Sequence, residues 1–158
     1  MPHIHEKIDF TVEVYIVHEN KVLLRKHDKY KIWLSIGGHI ELHEDPIEAL
    51  IREVREEVGL EISIYDRNKD NNPPAFSTSD YKELITPMFR NRHRINPTHE
   101  HVTESHFAYA DSDKVRPATY EQQGEWKWFS REDLLDPQYQ IKPHIRHYAL
   151  SALETLSR

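Results

Sequence analysis

The chain has no cysteine, which excludes a disulfide framework and any zinc site built on thiolates. No apolar stretch approaches the roughly 18 residues that a membrane-spanning helix needs. The opening residues, MPHIHEKIDF, hold no apolar core of a secretory leader, so a cytoplasmic protein is the expectation. Lys and Arg nowhere gather into a block, and the formal charge is −6. A protein that grips duplex nucleic acid by its phosphates needs the opposite balance. Small phosphorylated ligands stay compatible with that charge, because bound cations invert the field of an acidic site. Glycine is also scarce, with four residues in 158, and three of them (Gly37, Gly38 and Gly59) bracket one segment. Such sparing use marks places where backbone geometry demands glycine.

The bracketed segment, residues 38–60, reads GHIELHEDPIEALIREVREEVGL. Asp45 and Pro46 have the character of a helix cap and first turn, and Gly59 ends the helix after about Val58. Ile47, Ile51, Val54 and Val58 recur at intervals of four, three and four, which predicts an apolar stripe facing a core. Glu53, Glu56 and Glu57 then crowd one polar face, with Arg52 one turn below Glu56. Unpaired, these carboxylates repel. A cluster of oxygen donors suits a hard cation such as Mg²⁺ or Mn²⁺, and Arg52 can orient an acid that the cation does not neutralise.

At fixed distances these residues resemble the Nudix hydrolase family, whose box reads G-x5-E-x7-R-E-U-x-E-E-x-G-U, with U a bulky aliphatic. Gly38, Glu44, Arg52, Glu53, Val54, Glu56, Glu57, Gly59 and Leu60 fill every fixed position. The flanks are similar too, with Trp33 four residues before Gly37 and a late Glu125-Trp126-Lys127-Trp128-Phe129 strand before an acidic turn. One departure is Ile36, where a proline usually precedes the paired glycines. An ordinary surface helix rich in Glu and Arg requires neither Gly38 nor Glu44 at a set distance.

The resemblance implies a Nudix-type α/β/α sandwich with a mixed β-sheet. It implies hydrolysis of a diphosphate linkage in a nucleoside diphosphate derivative or nucleoside triphosphate, by water attack at phosphorus and with divalent ions. By the same resemblance, Glu53, Glu56, Glu57 and the Gly38 carbonyl, on a loop ahead of the helix, are the metal ligands. Glu44 and Arg52 support their geometry. The proton acceptor is a glutamate of the box, with Glu53 the candidate, or an acid on a later loop, for which Glu121, Glu104 and Glu125 are available; Glu121 is set against the ordinary state of a solvated loop acid. A non-catalytic nucleotide-binding regulator on the same fold is the alternative, although regulators usually show an eroded box. An isomerase acting on an isopentenyl diphosphate needs the thiol this chain lacks.

The length suits one domain, residues 1–158, and a homodimer is left open. Strands are expected over residues 10–17, 21–25, 62–65, 84–89, 101–110 and 126–129, with a turn at 18–20. Loops are expected over 68–80 and 111–124. A closing helix over 143–156 should bury Ile145, Tyr148, Ala149, Ala152 and Leu156. Twelve histidines are unusual for this size. His93, His99, His101 and His106 cluster, and His99 and His101 share a strand face. That pair could sit near phosphate or metal, but the sequence identifies no third ligand and a structural role is the plainer reading. No downstream signature fixes the substrate: residues 71–79 match the NADH-hydrolysing branch only in part. Trp33, Phe76, Tyr81 and Trp126 are candidates to stack a base, against the commoner role of aromatics in a core.

Overall fold

A computed structural model describes residues 5–70, 78–118 and 124–157. Two long strands, β1 (Ile8–His18) and β7 (His99–Ala110), run parallel through the middle of an eight-stranded sheet, in register from Ile8 opposite Glu100 to Val17 opposite Tyr109. Each has its outer edge shared by two shorter strands. Along β1 these are β2 (Lys21–Lys26), joined by a tight hairpin, and β4 (Ile36–His39), both antiparallel. The hairpin turns on Glu19 and Asn20, both at positive φ, the geometry that matches strand twist in a two-residue loop. Along β7 they are β5 (Ile62–Ile64) and β6 (Phe89–Asn96). Strands β3 (Trp33–Leu34) and β8 (Glu125–Phe129) complete the sheet on either edge of β2.

Alternation along β1 divides the core. Val12, Val14 and Ile16 pack with Leu23, Ile36, Leu50, Val54 and Val58 under helix α1 (Pro46–Glu57). Tyr15 and Val17 pack with Phe107, Phe129, Leu134, Ile145 and Ala149 under α2 (Arg131–Leu135) and α3 (Pro143–Thr155). The expected mixed sheet between helices is therefore present, because adjacent residues of a strand feed opposite layers.

Helix α1 begins as the sequence predicts. The Asp45 carboxylate accepts from the Ile47 and Glu48 amides at 2.9 Å each, and Glu48 returns a bond to the Asp45 amide. This reciprocal cap satisfies donors that the first turn leaves open. The buried stripe, however, is rotated from the expected one. Ala49, Leu50, Val54 and Val58 carry it, while Ile47 and Ile51 are half-buried. The rotation turns Glu53 and Glu57 inward.

The expected strand over 84–89 is corrected to Phe89–Asn96. Pro87 has no amide to give a ladder, and β6 is mostly exposed, so it shows none of the apolar alternation that betrays a half-buried strand. Helix α3 buries Ile145, Ala149 and Ala152 as expected, and Leu153 with them; Leu156, just past its end, is buried too. Tyr148 is only half-buried, and its ring stacks on Phe89 at 4.5 Å. Among the described residues, no helix is long and apolar enough to cross a membrane.

Gly59 ends α1 at φ +64°, and a Cβ there would meet the Arg116 carbonyl oxygen at 2.0 Å. The strand of loop it touches is bonded to the helix end, from the Arg116 amide to the Val58 carbonyl and from the Ala118 amide to the Glu56 carbonyl. Gly59→Ala is expected to destabilise the protein by more than about 1 kcal/mol, read as a lower midpoint in urea unfolding. An unchanged midpoint would show that the loop yields freely.

Candidate active site

The acids of α1 meet the sheet where β4 has no side chains. Gly38 lies opposite Val12 and faces α1, and a Cβ on it would stand 2.3 Å from Glu53 Oε1. The amide of Gly37 donates to Glu57 Oε2 at 3.3 Å. Glu53 thus enters space that any larger residue at position 38 would fill, and Glu57 is held at the neighbouring backbone amide. Glu53 is 1% exposed and Glu57 9%, whereas the Glu56 side chain is about 43% exposed. Gly38 itself belongs to strand β4 and not to the expected loop, because its pairing with β1 continues to His39.

Arg52 ties the cluster together. Its Nε and Nη2 form a fork on Glu44 at 2.7 and 2.8 Å, and Nη2 also donates to the His39 carbonyl at 3.0 Å. Nη1 donates to Glu53 Oε1 at 2.9 Å and reaches Glu56 Oε2 at 3.4 Å. A planar guanidinium can serve four groups at fixed angles where an ammonium cannot. The Arg52 bonds hold the Glu44 carboxyl below the usual carboxylate range. Burial pushes Glu53 above it. Glu57 is pushed up to about 8, first by burial and then by the charge of Glu53, against the pull of Arg25 at 3.5 Å. Buried acids that resist ionisation side by side are a place where a cation relieves the repulsion.

On the opposite face of the sheet, a cleft of about 730 Å³ runs from Tyr30 and His27 past Ser35, Glu13, Thr11 and Thr103 to His39 and His101. It borders Gly37 and Gly38, so cleft and acids meet at the β4 edge. That volume lies in the range of small-molecule sites. Glu13 on its floor accepts from the hydroxyls of Ser35, at 2.5 Å, and Ser105, and burial raises its pKa. Glu13 carries no signal in the sequence beyond a charge inside an apolar run.

The NUDIX domain model matches residues 9–149, most of the sheet and the whole box. The chain belongs to the Nudix family. A NUDIX-family hydrolase from Clostridium perfringens is 38% identical, with 94% of this chain and 98% of that chain covered at a TM-score of 0.84. Dihydroneopterin triphosphate diphosphatase of Haemophilus influenzae is 37% identical over 90 residues. That match takes in 56% of this chain and only 53% of the curated relative, so it spans about half of each protein. A MutT NUDIX hydrolase from Burkholderia pseudomallei shares the fold, with 22% identity, coverage of 96% and 100%, and a TM-score of 0.62.

Within this Nudix fold, the box residues Gly38, Glu44, Arg52, Glu53, Glu56 and Glu57 come together as the sequence predicts. The candidate acids of later segments fare differently. Glu104 is engaged with Arg90 at 3.9 Å and His106 at 3.7 Å. Glu125 pairs with Lys26 at 3.7 Å, and Glu121 lies outside the described residues, as does Phe76. The other suggested stacking residues do not line the cleft. Trp33 is core, edge-on to Phe129 at 4.9 Å. Trp126 packs against the α1-side core, and Tyr81 is exposed with its hydroxyl on Glu83. The cleft's aromatic is instead Tyr30, which lies just outside the expected strands.

The histidine pair is the larger surprise. His99 and His101 do share a face, with ring centroids 5.3 Å apart. His39 and His93 stand against His101 at 5.0 and 5.7 Å. Burial, reinforced by the neighbouring histidines, pushes His101 down to about 4, so its imidazole is neutral at physiological pH. Asp9 and His39 join the pair only through strand pairing, which is why sequence spacing misses them.

Glu13 yields a prediction in pH. Its carboxyl ionises near 4.5 when unfolded and higher when folded, so its favourable contribution is complete below about pH 4.5 and is lost as the pH rises through the folded value. Glu13→Gln should therefore gain stability over the native chain at pH 7, and the gain should vanish toward pH 4.5. Thermal midpoints across that range check this; parallel profiles would show that Glu13 does not titrate there.

Proposed function

We propose that this protein hydrolyses a diphosphate linkage in a nucleoside triphosphate or a related nucleotide derivative, acting as a single-domain cytoplasmic enzyme that needs Mg²⁺ or Mn²⁺. The observation that carries the proposal is the seating of Glu53 and Glu57 against Gly38 and Gly37, which gathers buried carboxylates where only a cation relieves them. The donor set fits such a group, since all its ligands are oxygen. Glu53, Glu56, Glu57 and the Gly38 carbonyl would hold it. Bound there, divalent ions would neutralise adjacent phosphates and lower the pKa of water.

The chain's own residues supply the rest. Arg52, locked by its fork on Glu44, fixes Glu53 through Oε1, so that carboxylate is presented in one orientation. Burial raises the basicity of Glu53, which suits a group that accepts the proton of attacking water. The cleft on the other face of β4 is large enough for a bicyclic head group, and the Glu13 carboxyl on its floor can accept from ring or exocyclic N–H groups. The Haemophilus relative is named for dihydroneopterin triphosphate. That name supports a triphosphate carried on a bicyclic ring as the substrate class.

Glu56→Gln and Glu57→Gln keep shape but remove a negative oxygen, and each should lower turnover at least about 100-fold while the fold survives. Arg52→Lys should also impair turnover, because it loses the fork. Steady-state rates at saturating metal check both, and undiminished rates would remove these residues from the machinery.

Hydrolysis should require a divalent ion and spare monophosphate esters. Incubation of a nucleoside triphosphate and its monophosphate in ¹⁸O-labelled water, with and without chelator, reads this by mass spectrometry. Label on a phosphate product in a chelator-sensitive reaction is expected; hydrolysis that persists without metal overturns the proposal.

A further inference from the structure

We propose that Asp9, His39 and His101 form a second metal site, separate from the acids of α1, that takes a first-row divalent transition-metal ion of the Zn²⁺ type. The three come from three strands: Asp9 from β1, His101 directly opposite it on β7, and His39 from the end of β4. One ligand atom from each lies within 4.8 Å of the other two. Tetrahedral zinc with bonds of about 2.0–2.2 Å sets its ligand atoms about 3.5 Å apart, so closure asks for movements of about an ångström. Asp9 is fully buried and His39 is 8% exposed.

The surrounding bonds orient this set. Asp9 Oδ1 accepts from the His5 amide at 2.7 Å, while Oδ2 faces His39 Nε2 at 3.1 Å and His99 Nε2 at 3.3 Å. The Nδ1 of His99 is 3.2 Å from the Glu6 carbonyl oxygen. A carbonyl only accepts, so Nδ1 carries the hydrogen and, in the neutral ring, Nε2 turns a lone pair toward a carboxylate. His99, anchored through Nδ1, thus stands against the Asp9 carboxylate beside the three ligands.

The chemistry of the donors separates this site from the first. Two imidazoles and one carboxylate favour zinc and its neighbours over magnesium, whereas the α1 acids offer oxygen alone. The sheet separates them in space: Gly38 faces α1, and His39, the next residue, faces the cleft. His39 and His101 both line that cleft, so an ion held by them would lie beside it.

The test uses the full chain, stripped with chelator and dialysed, and Zn²⁺ as the sole probe. After gel filtration, elemental analysis should find one tightly held Zn²⁺ per chain, in the native protein and equally in Glu57→Gln. His101→Asn and Asp9→Asn should weaken that binding at least about 100-fold. Co²⁺ added to stripped native protein should give the intense visible bands of a four-coordinate site, and these should bleach when Zn²⁺ is added. The cobalt spectrum decides the matter even if a variant fails to fold. No retained zinc, retention unchanged in folded His101→Asn, loss that follows Glu57→Gln instead, or only the weak cobalt spectrum of a six-coordinate ion would each overturn the proposal and leave the cluster as a hydrogen-bonded ion pair.

Discussion

The contact between helix α1 and the bare backbone of β4 governs this molecule. The missing side chain of Gly38 leaves room for the Glu53 carboxylate, and the Gly37 amide donates to Glu57, so two acids lie buried against the sheet where surface acids would otherwise splay into water. Everything nearby is arranged around the cost of that burial. Arg52 bridges Glu44, Glu53 and Glu56, Arg25 stands 3.5 Å from Glu57, and the Gly37 amide donates to the same acid. Even so, the positive groups do not bring Glu53 or Glu57 back to the ordinary carboxylate range. Buried acids held above their ordinary range in this way are typical of sites built for chemistry.

The pleat of β1 and β4 then distributes function between two faces. Along β1, Val12, Val14 and Ile16 support α1, while Asp9, Thr11 and Glu13 look the other way. Thr11 and Thr103 share a hydrogen bond of 2.6 Å across the central parallel pair, and Glu13 is held between Ser35 and Ser105. One face of the sheet therefore carries the acids of the box, and the other carries a polar cleft that ends in histidines. The two meet at the edge of β4.

Much of this was legible in the sequence. The cap at Asp45, the stop at Gly59, the central strands and the closing helix follow from local rules that operate within a turn or two of the chain. The family was legible for the same reason, since the spacing of Gly38, Glu44, Arg52 and the three acids lies within one continuous segment. Helical periodicity, however, gives only the relative angles of side chains. Which angle faces inward depends on what α1 packs against, and bare β4 drew Glu53 and Glu57 inside at the expense of Ile47 and Ile51.

The sequence by itself determined the local elements, the box and the membership of a family, because these depend on neighbours close along the chain. Tertiary structure alone decided that β6 begins at Phe89, that Glu13 floors a cleft, and that Asp9 and His39 join His99 and His101. Each of those is a consequence of strand register. Asp9 and His101 are 92 positions apart yet directly opposed, and Thr11 lies opposite His39 only because β4 folds back along β1. Pairing between distant strands is set by the sum of many backbone bonds and packed side chains, so no single stretch of residues announces which histidines will meet.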